Sequence, residues 1–150
     1  MRAVVQRVAE ANVTVDGEVV GSIGPGLCVL LAATHGDTER EAVKIAGRLA
    51  KLRIFSDAEG KMNRSVIDTG GAVLVVSQFT LYGDTSSGNR PGYSNAARPE
   101  VAEPLIERAV QELRDLGVEA ATGRFRADMN VRLVNQGPVT LTLDVDAPAG

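Results

Sequence analysis

The stretch Leu27-Cys28-Val29-Leu30-Leu31-Ala32-Ala33 is a continuous apolar run. Such a run is typical of a β-strand that is covered on both faces. Ala72 to Phe79, rich in Val and Leu, has the same character. Between these runs, Thr38 and Glu41 form a capping box, and apolar residues at helical spacing follow it as far as Leu52. A buried strand, a helix and a second buried strand in this order predict an α/β fold.

The flanking segments predict further strands and one more helix. The strand patterns cover Arg2 to Val8, Asn12 to Val15, Glu18 to Ile23 and, with breaks at Gly123 and Gly137-Pro138, Val118 to Val145. The second helix has an apolar face from Val101 to Leu116, and either Pro99 or Pro104 marks its first turn. We therefore expect a single domain over residues 1–150, with a mixed, curved, barrel-like sheet and two main helices packed on one side.

Composition limits the classes of function. The chain has 150 residues with a formal net charge of −3, and only 3% of its residues are aromatic. These values argue against a surface that wraps a nucleic-acid backbone or stacks on single-stranded bases, although contact with one end of a nucleic acid remains open. The single cysteine, Cys28, excludes an internal disulfide and a zinc site built on paired cysteines.

Hydrophobic patterning along the sequence predicts where in the cell the protein is found. Met1 to Val20 alternates charged and apolar residues and lacks the continuous apolar stretch of a signal peptide. No segment approaches the roughly 20 apolar residues that a membrane span needs. We expect a soluble cytoplasmic protein that does not engage a membrane.

The usual catalytic devices are not evident. The single histidine, His35, lies beside Gly36 and Asp37 in a strand-to-helix loop, where a solvated turn residue is the simpler interpretation. Cys28 lies in an apolar strand and fits a small core residue. No His, Cys or carboxylate spacing indicates a metal site. We therefore predict neither a covalent triad nor a metal nor another cofactor.

The segment Ser77-Gln78-Phe79-Thr80-Leu81 is a better candidate site. It places three polar side chains at the carboxyl end of a buried strand, where α/β sheets commonly open into ligand crevices. The alternative is that Ser77 and Thr80 satisfy local backbone groups while Phe79 belongs to the core. Spacing alone leaves both interpretations open.

A glycine-proline pair, Gly137-Pro138, lies between two strand-like runs, Asn130 to Val134 and Val139 to Val145. Proline has no N–H for a ladder, so Pro138 should stand outside the hydrogen-bonded sheet. The pair fits a tight hairpin turn. It also fits a rigid corner, with a cis or trans bond, that presents bare backbone to a ligand.

Several separated motifs, in order, resemble the D-aminoacyl-tRNA deacylase family. They are Val5-Gln6-Arg7-Val8, Arg53 to Asp57, Ser77 to Leu81, Gly88-Asn89-Arg90-Pro91, Gly123 to Met129 and Asn135 to Thr140. The resemblance covers nearly the whole chain. One departure is Gly92-Tyr93, which stands where the family pattern leads us to expect a serine and a phenylalanine.

The resemblance implies a hydrolase that cleaves the ester of D-aminoacyl-tRNA, and of glycyl-tRNA mischarged on a non-cognate tRNA, as quality control in translation. It implies a homodimer that binds the aminoacylated 3′ end, with each subunit inserting a Gly-cis-Pro corner into the other subunit's pocket. It also implies assistance by the 2′-hydroxyl of the terminal adenosine. The residues so implicated are Ser77, Gln78, Phe79 and Thr80 as catalytic, and Gly137, Pro138, Arg7 and Met129 as substrate-binding residues that reject L-amino acids.

Physical chemistry is consistent with these roles. Carbonyl groups on a rigid corner can orient the α-amino group, so that an L side chain meets the corner whereas a D side chain avoids it. Glycine, which has no side chain, cannot be rejected in this way. Thr80 has no adjacent base and is a weak nucleophile, so we assign it a positioning role and keep the nucleophile as an alternative. Backbone N–H groups around Phe79 and Thr80 are candidate oxyanion donors.

Two questions stay open at this level. The candidate phosphate contacts are Lys61, Arg64, Arg90, Arg124 and Arg126, and a solvated surface is the alternative for each. The lack of a recognisable acid-base pair also permits a different class of protein, a non-catalytic dimeric module that binds an amino acid or aminoacyl end.

Overall fold

The computed structural model describes residues 1–149, so Gly150, the last residue of the expected domain, lies outside the described residues. The strands are β1 (Arg2–Val15), β2 (Glu18–Ile23), β3 (Gly26–Ala32), β4 (Phe55–Ser56), β5 (Met62–Arg64), β6 (Ala72–Ser77), β7 (Glu119–Thr122) and β8 (Asn130–Asp144). The helices are α1 (Glu39–Lys51), α2 (Val66–Thr69) and α3 (Pro99–Asp115), and a 3-10 turn spans Phe79–Tyr82.

The main sheet is mixed and strongly curved. One edge of β1 pairs antiparallel with β8 along most of its length, while the other edge pairs first with β3 and then with β2. β3, β6 and β7 are parallel neighbours. The far strands come together, because a β-carbon on Gly21 of β2 would lie only 2.2 Å from the carbonyl oxygen of Thr122 in β7. The predicted barrel-like mixed sheet in a single α/β domain is confirmed.

The core has two layers, one on each face of the sheet. Leu27, Val29 and Leu31 of β3 pack in the cluster that includes the buried faces of α1 and α3. Cys28, on the opposite face of the same strand, packs inside the curve of the sheet with Leu74 and neighbouring residues. The continuous apolar run of β3 therefore reflects burial on both faces, and the prediction that two main helices cover one side is confirmed.

The helix boundaries follow from local chemistry. The backbone N–H of Thr38 donates to Glu41 Oε1 at 2.8 Å, and the Thr38 hydroxyl accepts from the Arg40 N–H at 3.3 Å, so the predicted capping box is present. α3 begins at Pro99, which occupies the first-turn position where a missing N–H costs nothing, and Pro104 lies inside the helix. In the part of the chain that the structure describes, no helix is long and apolar enough to cross a membrane.

The strand that carries the Gly-Pro pair, β8, and its pairing partner, β1, are longer than the sequence predicts. The segments predicted as two strands at each end of the chain are single long strands, β1 and β8, with register shifts inside them. Asn135 pairs with Val8 and Thr140 with Gln6, so Gly137-Pro138 lies in a bulge between two paired stretches of one strand. The hairpin-turn interpretation is therefore wrong. The Gly137-Pro138 bond is cis.

Candidate active site

A cleft of about 640 Å³ opens at the carboxyl ends of β3 and β6. Its floor comes from these strand ends, including Ala32 and Ser77, and one wall is the loop that leads into α3. The opposite wall is the segment Phe125 to Met129, between β7 and β8. The cleft lies where ligands are expected in sheets with parallel strands.

The polypeptide turns sharply at the edge of this cleft. The Gln78 N–H donates to the Leu31 carbonyl at 2.9 Å, which ties the end of β6 to β3. A 3-10 turn follows, and its first hydrogen bond runs from the Leu81 N–H to the Gln78 carbonyl at 3.1 Å. The N–H groups of Phe79 and Thr80 thus have no acceptor within the turn, as is usual at a helix start.

Side chains of the turn agree with a site and not with a core. The Phe79 ring is 56% exposed and lines the cleft, so its interpretation as a core residue is wrong. The Gln78 amide donates to the Thr80 hydroxyl, which fixes both side chains relative to the turn. Ser77, Gln78 and Phe79 line the cleft, whereas Thr80 lies outside its lining and reaches it only through Gln78.

Arg2 holds the far end of the turn. Its Nη1 donates to the Leu81 carbonyl at 3.1 Å, its Nε pairs with Asp144 at 2.8 Å, and its guanidinium lies 4.7 Å from the centre of the Tyr82 ring. Burial raises the pKa of Tyr82, so its hydroxyl stays protonated at neutral pH. These contacts fix the turn and supply no base.

Tyr93, whose sequence position departs from the family pattern, supports the turn from the opposite side. Its ring meets Phe79 edge-on, with centroids 5.2 Å apart and an interplanar angle of 75°. A β-carbon on Gly83 would lie 3.2 Å from Tyr93 Cε1, so the tyrosine ring covers the residue that ends the turn. The loop that carries Tyr93 is anchored by reciprocal backbone hydrogen bonds between Asp84 and Gly92, at 2.7 and 2.8 Å.

Arg7 holds the Gly-Pro corner of the same chain. Its Nη1 donates to the Ile54 carbonyl at 2.8 Å and its Nε to the Gln136 carbonyl at 3.1 Å. Gly137 has φ +123°, and a β-carbon there would lie 2.8 Å from Arg7 Nη2. Of the two residues predicted to surround the corner, Met129 lines the cleft described above and Arg7 does not. The corner residues Gly137 and Pro138 are also absent from the cleft lining. The corner therefore stands apart from the cleft of the same chain.

The candidate phosphate contacts separate into two groups. Arg126 lines the cleft, together with Arg98 and the carboxylate of Asp128, and Arg124 lines an adjoining cleft of about 450 Å³. Lys61, Arg64 and Arg90 line neither cleft. The Arg64 guanidinium instead donates to the Asp68 carbonyl at 2.7 Å.

Other reactive groups are engaged elsewhere. His35 Nε2 lies 2.7 Å from the Ser94 carbonyl, in the loop where it was expected. Burial raises the pKa of the Cys28 thiol to about 11, as expected for a core residue. Among residues 1–149, no group of three or more His, Cys, Asp or Glu side chains is placed to hold a metal ion. The Ser77 hydroxyl and the Gln78 amide line the cleft, and the backbone N–H groups of Phe79 and Thr80 belong to the turn at its edge. Such a set is suited to orienting a carbonyl compound and stabilising an oxyanion.

The fold defines a class of small α/β proteins with a barrel-like mixed sheet and two main helices packed on one side. The solved structure of the c-Myc DNA Unwinding Element Binding Protein belongs to this class, with a TM-score of 0.91 and 40% identity over 98% of this chain and 100% of that one. A structure described as "a probable eukaryotic D-amino acid tRNA deacylase" shares the fold at a TM-score of 0.82 and 19% identity, over 96% of this chain and 98% of that one.

This chain belongs to the D-Tyr-tRNA(Tyr) deacylase family, whose family model matches residues 4–144. The D-aminoacyl-tRNA deacylases of Cereibacter sphaeroides and Symbiobacterium thermophilum are each 60% identical to it over 144 residues, which cover 96% of this chain and 99% and 95% of those relatives. The predicted family and the predicted enzyme class, a hydrolase, are confirmed.

Proposed function

We propose that this protein hydrolyses the ester that joins a D-amino acid to the terminal ribose of tRNA, and that it acts as a homodimer. The observation that carries the proposal is the backbone turn at Phe79 and Thr80, whose N–H groups lack an acceptor within the turn at the edge of a cleft. The family relatives named as D-aminoacyl-tRNA deacylases support the substrate class. Removal of such esters before peptide synthesis is quality control in translation.

In the proposed reaction, water attacks the ester carbonyl and the bond from the carbonyl carbon to the ribose oxygen breaks. The proton released by water passes to that ribose oxygen, so the products are the free amino acid and tRNA. The N–H groups of Phe79 and Thr80 face the developing oxyanion, and a single such donor is worth about 10²–10³-fold in kcat. The Thr80 hydroxyl, held by Gln78, positions the turn, and the 2′-hydroxyl of the terminal adenosine assists the attack.

The Gly137-Pro138 corner supplies the discrimination, acting in the cleft of the partner subunit. Its position outside the cleft of its own chain supports this arrangement. The exposed apolar side chains of Val134 and Leu141 on the same strand, 50% and 38% accessible, support burial of that strand by a second copy. An L side chain would collide with the corner, a D side chain would avoid it, and glycine would escape rejection.

A matched pair of substrates tests the activity. One tRNA charged with the D or the L form of the same amino acid, and the same tRNA charged with glycine, are incubated with the protein, and loss of the ester is followed. We expect rapid hydrolysis of the D and glycyl esters while the L ester survives at its spontaneous rate. Absence of acceleration on the D ester would leave the non-catalytic binding module as the better description.

Two further measurements test the mechanism and the assembly. Replacing the terminal 2′-hydroxyl by hydrogen, with the amino acid on the 3′ oxygen, should abolish most of the acceleration. Full activity on that substrate would make Thr80 the leading nucleophile, to be checked with Thr80→Ala and Thr80→Ser. Sedimentation equilibrium should give twice the mass of the chain, and a monomer with full activity and selectivity would contradict the shared site.

A further inference from the structure

Arg126 has an unusual backbone conformation at the wall of the cleft. The Ala127 N–H donates to the Arg124 carbonyl at 3.2 Å, which closes a four-residue turn over Arg124–Ala127. Arg126, the third residue of this turn, has φ +66°. Turns with a positive φ at this position favour Gly or Asn, because a β-carbon is disfavoured there.

The conformation of Arg126 lacks the local cause that explains a positive φ at the other non-glycine residue of this kind in the described chain. Among the described residues, Asp16 is the one other non-glycine residue with positive φ, at +51°. Asp16 precedes Gly17 in the β1–β2 hairpin, where that conformation is required by the tight turn and is tolerated by aspartate. Arg126 has neither reason. Residues in such sparsely populated conformations cluster at active sites and ligand clamps.

The arginine side chain has no engagement that would account for its placement. It is exposed and lines the cleft beside Phe125 and Asp128. Within residues 1–149, its guanidinium forms no hydrogen bond or ion pair with the protein. A guanidinium offers a planar fork of donors that matches phosphate oxygens. On a chain with net charge −3, contact with RNA depends on such local cations.

We infer that Arg126 is held in this conformation to bind the phosphodiester that precedes the terminal nucleoside of the aminoacylated RNA. The inference rests on the proposed function and adds a specific contact to it. The terminal aminoacyl nucleoside enters the cleft. Arg126, at the wall of the cleft, contacts the phosphate on the 5′ side of that nucleoside. Arg126 thus contributes binding to any aminoacyl-tRNA, independent of the amino acid.

Three variants at this position separate the cation from the backbone strain. Arg126→Ala removes the cation and keeps the β-carbon, Arg126→Gly removes both, and Arg126→Lys keeps a charge without the fork. On D-aminoacyl-tRNA we expect Ala and Gly to raise KM about 10-fold with kcat little changed, and Lys to lie between them and wild type. The slope of log(kcat/KM) against log salt should become shallower by about 0.7 in Ala and Gly. The Gly variant should melt about 2–4 °C higher than the Ala variant.

Two controls complete the test. D-aminoacyl-adenosine carries no phosphate, so wild type and all Arg126 variants should hydrolyse it equally. Asp16→Gly makes the same kind of backbone change away from the cleft and should leave the KM for D-aminoacyl-tRNA unchanged.

The outcomes are distinct. An unchanged KM and salt slope in Arg126→Ala would overturn the phosphate contact while leaving the deacylase activity of wild type intact. An equal loss on D-aminoacyl-adenosine would also overturn it, because the residue would then shape the cleft. Equal melting temperatures of the Gly and Ala variants would overturn the claim of strain. Failure of wild type on both substrates would instead contradict the proposed function.

Discussion

Arg7→Ala should weaken both the fold and the discrimination between D and L substrates. The variant loses a partly buried hydrogen bond to the Ile54 carbonyl at 2.8 Å and an exposed one to the Gln136 carbonyl at 3.1 Å. A hydrogen bond from a charged donor contributes about 1.5–3 kcal/mol when buried, and the exposed one contributes less. We therefore expect a loss of about 2–3 kcal/mol in the free energy of unfolding, which lowers Tm by about 4–12 °C.

The same change releases the corner, because Gln136 directly precedes Gly137. We expect the ratio of kcat/KM for D- over L-aminoacyl-tRNA to fall at least about tenfold, which corresponds to about 1.4 kcal/mol. Thermal melting by circular dichroism and ester loss, measured well below the Tm of the variant, give the two quantities. Arg48→Ala is the matched control, since it removes one exposed hydrogen bond to the Asp144 carbonyl at 3.1 Å and should leave the ratio unchanged.

Two results would refute this reasoning. An unchanged Tm would show that the two hydrogen bonds contribute nothing, and an unchanged ratio would show that Arg7 does not position the corner for substrate. Mixing subunits sharpens the second point. The Gln78→Ala subunit keeps an intact corner but has a damaged cleft, whereas the Arg7→Ala subunit keeps an intact cleft. If the corner acts across subunits, a mixed dimer joins the intact corner to the intact cleft. An excess of Gln78→Ala over Arg7→Ala should then restore the selectivity of the remaining activity.

Three further outcomes are expected. Gly137→Ala places a β-carbon 2.8 Å from Arg7 Nη2 on a residue whose φ is +123°, which introduces a strain of about 1–3 kcal/mol. The variant should hydrolyse the D ester more slowly, and an unchanged rate would show that the corner does not face the substrate. Tyr93→Ala removes the ring that contacts Phe79 and should lower kcat about tenfold with little change in KM, while Tyr93→Phe keeps the contact and should retain wild-type kcat; a similar loss in both would contradict packing as the cause. The pKa of the buried Cys28 thiol is raised to about 11, so the thiol should resist alkylation at pH 8 until the protein unfolds. Because the thiol of the unfolded chain has a pKa of about 8.5, the free energy of unfolding should decrease as the pH rises from about 8.5 to 11. Rapid labelling of the folded protein at pH 8 would contradict this expectation.

Local sequence signals predicted the centre of the fold well. The apolar run of β3 and the capping box of Thr38 and Glu41 each have one dominant local cause, and both appear as expected. The long strands β1 and β8 were divided in the prediction, since their bulges interrupt the local pattern. Their continuity comes from pairing between the two ends of the chain, which no short window contains.

The candidate site shows the same limit. Ser77 and Gln78 were identified because polar residues at the end of a buried strand are a local signal, whereas Phe79 was identified only through the family resemblance. The contributions of Tyr93 and Arg126 depend on which segments meet around the cleft. The Arg126 backbone has no sequence signature, since arginine is not a residue that predicts a positive φ.

The bulge that carries Gly137 and Pro138 has a thermodynamic consequence for selectivity. Both of its flanks pair with β1, a strand whose alternate residues are buried in the core, so the corner is already ordered before any substrate arrives. In the proposed complex, ordering the corner would therefore cost no loop entropy, and a colliding side chain could not be accommodated by moving a flexible segment aside. If the corner rejects the L stereoisomer as proposed, moving it aside would require breaking strand pairs on both flanks, so the selectivity would persist for as long as β1 and β8 remain paired.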